Sequence, residues 1–369
     1  MEGHVLENKI PVAILGATGM VGQQFIQLLE NHPWFEVTCV AASSRSAGML
    51  YAESVEGRWS KKTPIPENIA KLNVLEVEAD IETIASQVTF AFSAMSLDKE
   101  KVKQVEETYA AAGCPIVSNN SAHRWTPDVP MMMPEINGHH AELVDIQRKN
   151  RGWDKGFIVV KPNCSIQSYV PIIDALMKFG PEKAIVSTYQ AISGAGKTFD
   201  TWPEMIDNVI PYIGGEEKKS EDEPMKVWGT IENGELKLAE KPVISANCIR
   251  VPVSDGHLVS VNISFAQKPT REEIIDAINN YKNPIEELDL PSSPKPFMQY
   301  FEEDDRPQTG LDRMVGNGMS ITAGRLREDN VFDWKFVGLS HNTIRGAAGG
   351  AVLTAEMMVK KGYVQGVTI

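Results

Sequence analysis

Cys164 stands in KPNCSIQSY, where a β-like run (GFIVVKP) gives way to a helix-like one (SIQSYVPIIDALMKFG). Free cysteines usually sit inside strands or helices as small hydrophobes. At a strand-to-helix junction the sulfur can be exposed, and the amides and dipole of a following helix favour its thiolate. With Asn163 as the cap and Cys164 in the first turn, the thiol is expected to be acidified and nucleophilic. Such a nucleophile needs a group that manages protons. His257, on the polar turn of RVPVSDGHLVS between two strand-like runs, is the best candidate. An exposed histidine with a near-neutral pKa suits general acid–base chemistry. A surface-turn histidine without a role leaves the same signature, so spacing alone keeps the pairing open.

A second chemical feature lies near the N-terminus. ILGATGMVG sets Gly16, Gly19 and Gly22 between an expected strand and helix. Glycines there let backbone amides approach a pyrophosphate on the helix N-terminus. The spacing is GxxGxxG where the usual dinucleotide fingerprint is GxGxxG, but the setting is a first strand followed by a first helix. An NAD-type site carries an acidic residue at the end of the next strand to hold the ribose hydroxyls. Here the strand ends in VAASSRSAG, with Ser43, Ser44, Arg45 and Ser46 in its place. A cation among hydroxyls suits a 2′-phosphate and favours NADP; a solvated turn with one surface arginine is the plainer alternative.

These groups need a frame, and the chain is long enough for two sizeable cores at 369 residues. Residues 9–120 alternate strand-like with helix-like segments, which implies a doubly wound parallel sheet with right-handed crossovers. Beyond Cys164 longer strand candidates appear (AIVSTYQAIS, VISANCIRVPV, LVSVNISFAQ, MSITAGRLRE, VFDWKFVGLS). They suggest an α+β unit with a mixed, largely antiparallel sheet that could serve as a dimer face. The fold class expected is therefore α/β: a Rossmann-like domain over 1–162, completed by a C-terminal helix within 343–369, and a catalytic and dimerisation domain over 163–342. Residues 212–223 read as a polar, charged segment and 283–311 as a long loop. The last segment, NTIRGAAGGAVLTAEMMVKKGYV, reads as an amphipathic helix packing back on the first domain.

Composition narrows the function. A formal net charge of −13 argues against nucleic acid, whose backbone demands clustered Lys and Arg. No apolar run approaches the roughly 18 residues of a membrane span, and no signal or transit peptide is visible. The four cysteines are scattered without metal-ligand spacing, which suits free thiols in a reducing cytoplasm and no metal. Cys39, Cys114 and Cys248 read as structural, Met131–Met133 as packing, and His4, His32, His123, His139, His140 and His341 lack a partner in sequence.

Taken in order, GATGMVG, KPNCS, YQAISGAG, GGEEKKSE, CIRVPVSDGH and HNTIRGAAGG resemble the aspartate-β-semialdehyde dehydrogenases, in the form of their archaeal and fungal branch. The resemblance spans most of the chain, with Arg250 and His257 seven apart as that pattern requires. It implies Cys164 as nucleophile, His257 as acid–base catalyst and Gln190 as the residue orienting substrate near the thiol. It implies Arg250 on the substrate carboxylate, Glu216 on its amino group, Asn163 beside the substrate, and Lys219 with Arg124 on phosphate; Glu217 and Lys218 compete in register. Thr18, Met20 and Val21 would join the glycine turn, with Ser93, Ser193, Gly194 and Asn342 also on the cofactor side.

The implied reaction interconverts L-aspartate 4-semialdehyde, phosphate and NADP⁺ with L-4-aspartyl phosphate through a cysteine thioester. That step would serve lysine, threonine, methionine and isoleucine biosynthesis, in a homodimer or homotetramer. Rivals on the same scaffold are an N-acetyl-γ-glutamyl-phosphate reductase and a malonyl-CoA-type acyl-CoA reductase, which differ in the substrate clamp. A cofactor-free cysteine hydrolase or an NADP-sensing regulator would use only half of these features.

Overall fold

The computed structural model describes residue 6 and residues 8–367; His4 lies outside the described residues, as do the last residues of the expected C-terminal segment. Two six-stranded sheets organise the chain. The first contains β1 (Ile10–Leu15), β2 (Phe35–Ala42), β3 (Val74–Glu76), β4 (Phe90–Ser93), β5 (Ile116–Ser118) and β6 (Ile158–Val160). Its order is β3-β2-β1-β4-β5-β6 and every pairing is parallel. Strands such as IPVAIL are apolar throughout because helices cover both faces of a parallel sheet. The strand order reverses between β1 and β4, which opens a crevice at the carboxyl ends. Around this sheet run α1 (Met20–Leu29), α2 (Ile81–Gln87), α3 (Lys99–Ala111) and α4 (Leu143–Arg151).

The second sheet is mixed. It uses β7 (Pro181–Gln190), β10 (Val243–Arg250), β11 (His257–Phe265), β12 (Met298–Phe301), β13 (Ile321–Glu328) and β14 (Trp334–Ser340), in the order β10-β7-β11-β14-β13-β12. A separate hairpin pairs β8 (Thr230–Glu232) with β9 (Glu235–Lys237). β11 buries every second residue, the two-residue period of a strand with one face covered. The helices here are α5 (Val170–Ala175), α6 (Glu216–Val227) and α7 (Arg271–Asn279).

Four expectations change. Residues 212–223 are not simply a polar segment: α6 begins at Glu216 and buries Glu216, Ser220 and Glu223, spaced four and three apart on one helix face. The stretch after Cys164 is not one helix. It is a 3-10 turn (Ser165–Ser168), the short α5 and a second 3-10 turn, because Tyr169 departs from helical geometry at φ −135° and Pro171 supplies no amide. The expected 283–311 loop contains β12, which pairs in parallel with β13 at the sheet edge. Finally, the C-terminal helix, α8 (Gly349–Lys360), is enclosed on all sides, with Gly349 to Val359 buried. It joins the core of the first sheet as a buried helix and has no exposed polar stripe.

An internal ion pair fastens these parts together. Arg345 donates through both Nη atoms to the Glu135 carboxylate, with Nη2 to Oε2 at 2.8 Å. Its Nε donates to Gln167 Oε1 at 3.2 Å, and its guanidinium lies 5.1 Å from the Phe297 ring centroid. Arg345 and Glu135 are 1% and 0% exposed, so removing one partner strands a charge in the core. Glu135→Ala is therefore expected to cost about 3–5 kcal/mol of unfolding free energy, read as a fall in the urea midpoint at constant slope. A loss below about 1 kcal/mol would mean that the pair behaves like a solvated one.

Candidate active site

β6 ends at Val160, and Cys164 follows it at the carboxyl edge of the first sheet. Gln190 and Arg250 are the last residues of β7 and β10, directly paired across that parallel ladder. His257 opens the antiparallel β11, so three strand ends of the second sheet converge on the turn that carries Cys164. The closeness depends on glycines. A Cβ on Gly346 would come within 2.8 Å of the Cys164 Cβ, and one on Gly194 within 2.9 Å of Arg250 Nη1 and 3.2 Å of His257 Cε1.

Cys164 Sγ lies 3.4 Å from His257 Nε2. His257 Nδ1 accepts from the Ala191 amide at 3.1 Å, which leaves the proton of the neutral ring on Nε2, facing the sulfur. The electrostatics differ from the sequence expectation on both partners. Burial pushes the Cys164 thiol up to about 11, with Glu216 adding to the rise and Lys161, Arg124 and Arg250 opposing it. Only a 3-10 turn follows Cys164, so no long helix dipole offsets that desolvation. His257 is fully buried, not exposed on a turn. Burial and then Arg250 bring it down to about 3, against the Gly256 carbonyl, which favours the charged ring. The resting pair is neutral thiol and neutral imidazole.

Around this pair sits a closed set of polar contacts. Glu216 Oε1 accepts from Asn163 Nδ2 at 3.0 Å and from Lys219 Nζ at 2.7 Å, and Gln190 Nε2 approaches Glu216 Oε2 at 3.4 Å. Glu217 turns away to the Cys248 amide, and Lys218 is exposed beside Asp222. Arg250 Nη1 donates to the Ala191 carbonyl at 2.6 Å; among the described residues the other N–H groups of its guanidinium meet no acceptor. Asn163 Oδ1 accepts from the Ser165 amide at 2.7 Å, but Cys164, not Asn163, is the cap of the 3-10 turn, so the sulfur precedes the turn and does not sit in it.

Four participants went unread in the sequence. Glu223 accepts from Arg124 Nη1 at 2.9 Å and from the Asn163 amide at 2.6 Å, linking a cation to the turn that carries Cys164. Lys226 Nζ donates to the carbonyls of Arg124 (2.6 Å) and Val129 (3.0 Å). Helical spacing from Glu216 would have revealed Glu223 had 216–227 been read as a helix. Lys161 is buried, its Nζ donates to the Pro162 carbonyl, and burial brings it down to about 7. Ser165 Oγ contacts Ser220 Oγ at 3.1 Å.

The glycine turn faces the crevice beside β1 and β4. Gly16 has φ +87°, and a Cβ there would strike the Ala94 carbonyl at 2.4 Å. No side chain caps α1 and its first turn carries no acid, so its leading amides can meet a pyrophosphate. Thr18, Gly19, Met20 and Val21 lie on this turn, and Ser43, Ser44 and Arg45 are exposed just past β2, with Ser46 buried. A cleft of about 690 Å³ continues from Met20 past Lys61, Ser193, Arg313 and His341. Beside it the buried Asn342 donates to Ser193 Oγ at 2.9 Å and accepts from the Gly256 amide at 2.8 Å. These groups fit a dinucleotide, whose phosphates the turn and the cleft lysines would hold.

Two family models match the chain: semialdehyde dehydrogenase, NAD binding domain, over residues 11–144, and semialdehyde dehydrogenase, dimerisation domain, over residues 170–345. An aspartate-semialdehyde dehydrogenase of Archaeoglobus fulgidus is 44% identical over 350 residues, covering 95% of this chain and 98% of that protein. The chain belongs to the aspartate-semialdehyde dehydrogenases. The crystal structure of the Candida albicans aspartate semialdehyde dehydrogenase with NADP superposes with a TM-score of 0.86 at 35% identity, covering 96% of this chain and 100% of that one. Aspartate semialdehyde dehydrogenase II from Vibrio cholerae, complexed with ASA, gives 0.70 at 25% identity, over 96% and 99%. Rossmann-like and mixed-sheet units are thus this dehydrogenase family's architecture.

The neutral resting pair has a direct consequence. Alkylation of Cys164 by iodoacetamide in the free protein should accelerate with rising pH toward about 11, with no plateau near neutrality. Cys39, Cys114 and Cys248 are buried, so a single labelled peptide should carry the signal in mass spectrometry. A rate already saturated at pH 7 would instead mean a standing thiolate–imidazolium pair.

Proposed function

We propose that this dehydrogenase interconverts L-aspartate 4-semialdehyde and phosphate with L-4-aspartyl phosphate, uses NADP in preference to NAD, and runs reductively in amino-acid biosynthesis. The observation that carries the reading is the Cys164–His257 contact flanked by Arg250 and Glu216. A planar guanidinium with free N–H groups suits a carboxylate, and a buried carboxylate suits an ammonium. Together they select a small amino acid over an N-acetylated or CoA-linked acyl group.

The sulfur adds to the aldehyde carbon while the thiol proton passes to the carbonyl oxygen, which gives a hemithioacetal on Cys164. A bound nicotinamide supplies the hydride acceptor in this direction and the donor in reverse. His257 Nε2 takes the hydroxyl proton as the thioester forms. Because Nε2 holds the resting proton, the ring first moves it to Nδ1, with the Gly256 carbonyl the available acceptor in place of the Ala191 amide. Gln190 and Asn163 orient the carbonyl oxygen. Phosphate, held by Arg124 and Lys219, then attacks the thioester and releases the thiolate.

Lys219 and Glu216 pair with each other at 2.7 Å. Substrate ammonium and phosphate would separate that pair, each taking one partner. The cofactor groups are Gly16, Thr18, Gly19, Met20 and Val21 on the glycine turn, with Ser93, Ser193, Gly194 and Asn342 along the crevice. Ser43, Ser44, Arg45 and Ser46 stand where the 2′-phosphate would lie. The domains would divide at 1–162 with 343–369, and 163–342. A homodimer or homotetramer is supported by the open face of the second sheet, where Ile185 and Val243 are exposed. Four free cysteines accord with a cytoplasmic setting.

Mixing the protein with L-aspartate 4-semialdehyde, phosphate and NADP⁺ should produce reduced cofactor, dependent on phosphate and absent in Cys164→Ala, which still binds NADP. Activity with N-acetylglutamate semialdehyde or an acyl-CoA in its place would discard the substrate and keep the thiol. Arg45→Ala should raise the KM for NADP about tenfold, the weight of roughly one charge-assisted hydrogen bond, while NAD-linked activity barely moves. An unchanged preference would remove Arg45 from the 2′-phosphate site.

A further inference from the structure

The carboxyl ends of β4 and β5 meet over a fully buried acid. Glu106, on the inner face of α3, accepts at Oε1 from Ser93 Oγ (2.6 Å), Ser118 Oγ (2.6 Å) and Asn120 Nδ2 (3.3 Å). Ser93 ends β4 and Ser118 ends β5. Asn120 closes the network, its Nδ2 donating to Ser93 Oγ at 2.9 Å and its amide to Ser118 Oγ at 3.1 Å. The direction of every bond follows from this closure. Each serine hydroxyl already accepts from Asn120, so its one proton must go to Glu106. Glu106 Oε2 is buried without a partner, and no cation pairs with the carboxyl among the described residues. Burial raises its pKa, more than the Ser118, Ser93 and Asn120 donors lower it. The carboxyl thus accepts three bonds through one oxygen, with its other oxygen enclosed and unpartnered among the described residues.

Its position matters because both proposed binding walls begin here. The residue after Ser93 is Ala94, whose carbonyl lies against the bare Cα of Gly16 in the glycine turn. The Asn119 amide donates to the Ser93 carbonyl at 2.8 Å, and the chain from Asn120 runs directly into the turn that presents Arg124. We propose that Glu106 is a positioning residue that fixes the cofactor wall at Ser93–Ala94 and the Arg124 loop relative to one another. This rests on the reading that the glycine turn meets the dinucleotide and Arg124 meets phosphate. Glu106 touches neither ligand, and its effect passes through Ser93, Ser118 and Asn120.

The test compares Glu106→Ala, Glu106→Gln, Ser118→Ala and, as a control on the underlying reading, Arg124→Ala. KM for phosphate and for NADP, kcat and melting temperature are measured for each. Glu106→Ala should raise both KM values about tenfold, the scale produced by small misplacements of positioning groups. Glu106→Gln should restore both to within about twofold, because its amide oxygen takes the same three bonds and its NH₂ falls where Oε2 already lacks a partner. A purely structural role predicts a lower melting temperature in both variants with unchanged KM values, and that result overturns the proposal. So does a Glu106→Gln variant as impaired as Glu106→Ala, because the carboxyl would then act through its charge. If Glu106→Ala does not fold, Ser118→Ala decides: a raised phosphate KM supports the network and an unchanged one ends it. If Arg124→Ala leaves the phosphate KM unchanged, the phosphate reading fails and takes this proposal with it. If Arg124→Ala raises it and Glu106→Ala does not, only the positioning claim fails.

Discussion

Desolvation of a thiol and an imidazole in contact is the constraint on which the rest of the site turns. Burial favours the neutral form of both groups, so the sulfur is not standing ready as a thiolate. Reactivity must come from charge that arrives or is rearranged. Three cations, Lys161, Arg124 and Arg250, favour the thiolate, and Glu216 opposes it. Lys219 already lies 2.7 Å from Glu216, so the charges around the sulfur are largely balanced among themselves and burial decides its protonation.

The geometry behind this comes from where strands end. β7 and β10 are parallel and stop together, while β11 runs the other way and starts at the same edge. Gln190, Arg250 and His257 are therefore neighbours although up to 67 positions separate them in the chain. α6 then lays Glu216, Ser220 and Glu223 across the turn from Asn163 to Ser165. One helix face thus touches Asn163, the turn that carries Cys164 and the Arg124 guanidinium. Ridges of buried polar side chains are costly unless each finds a partner, and here each does.

Much of this was legible in the residues themselves. Alternating apolar segments announced the parallel sheet, and the ordered motifs carried the family. Spacing announced the glycine turn, and Cys164 and His257 stood out by type and setting. What could not be read was environment. His257 looked like an exposed turn residue because Asp255 and Gly256 precede it, but it is the first residue of a strand beneath Ala191 and Gly194. GGEEKKSEDE looked solvated because its charges are dense, yet alternate sides of α6 meet water and core. Tyr169 and Pro171 broke a helix whose apolar pattern was continuous. Tertiary partners decided each case, and no local pattern names a partner that lies 50 or more residues away, as Asn163 and Glu216 do.

A net charge of −13 and a reaction between anions make an odd pair until local charge is separated from the total. Two of the cations at the site are paired with acids. Arg124 is held by Glu223, and Lys219 by Glu216. Lys226 spends its charge on backbone carbonyls, which fixes the loop without adding a competing acid. The acids and carbonyls that surround these side chains orient each cation, so the charge at the site is set by local pairing and not by the total.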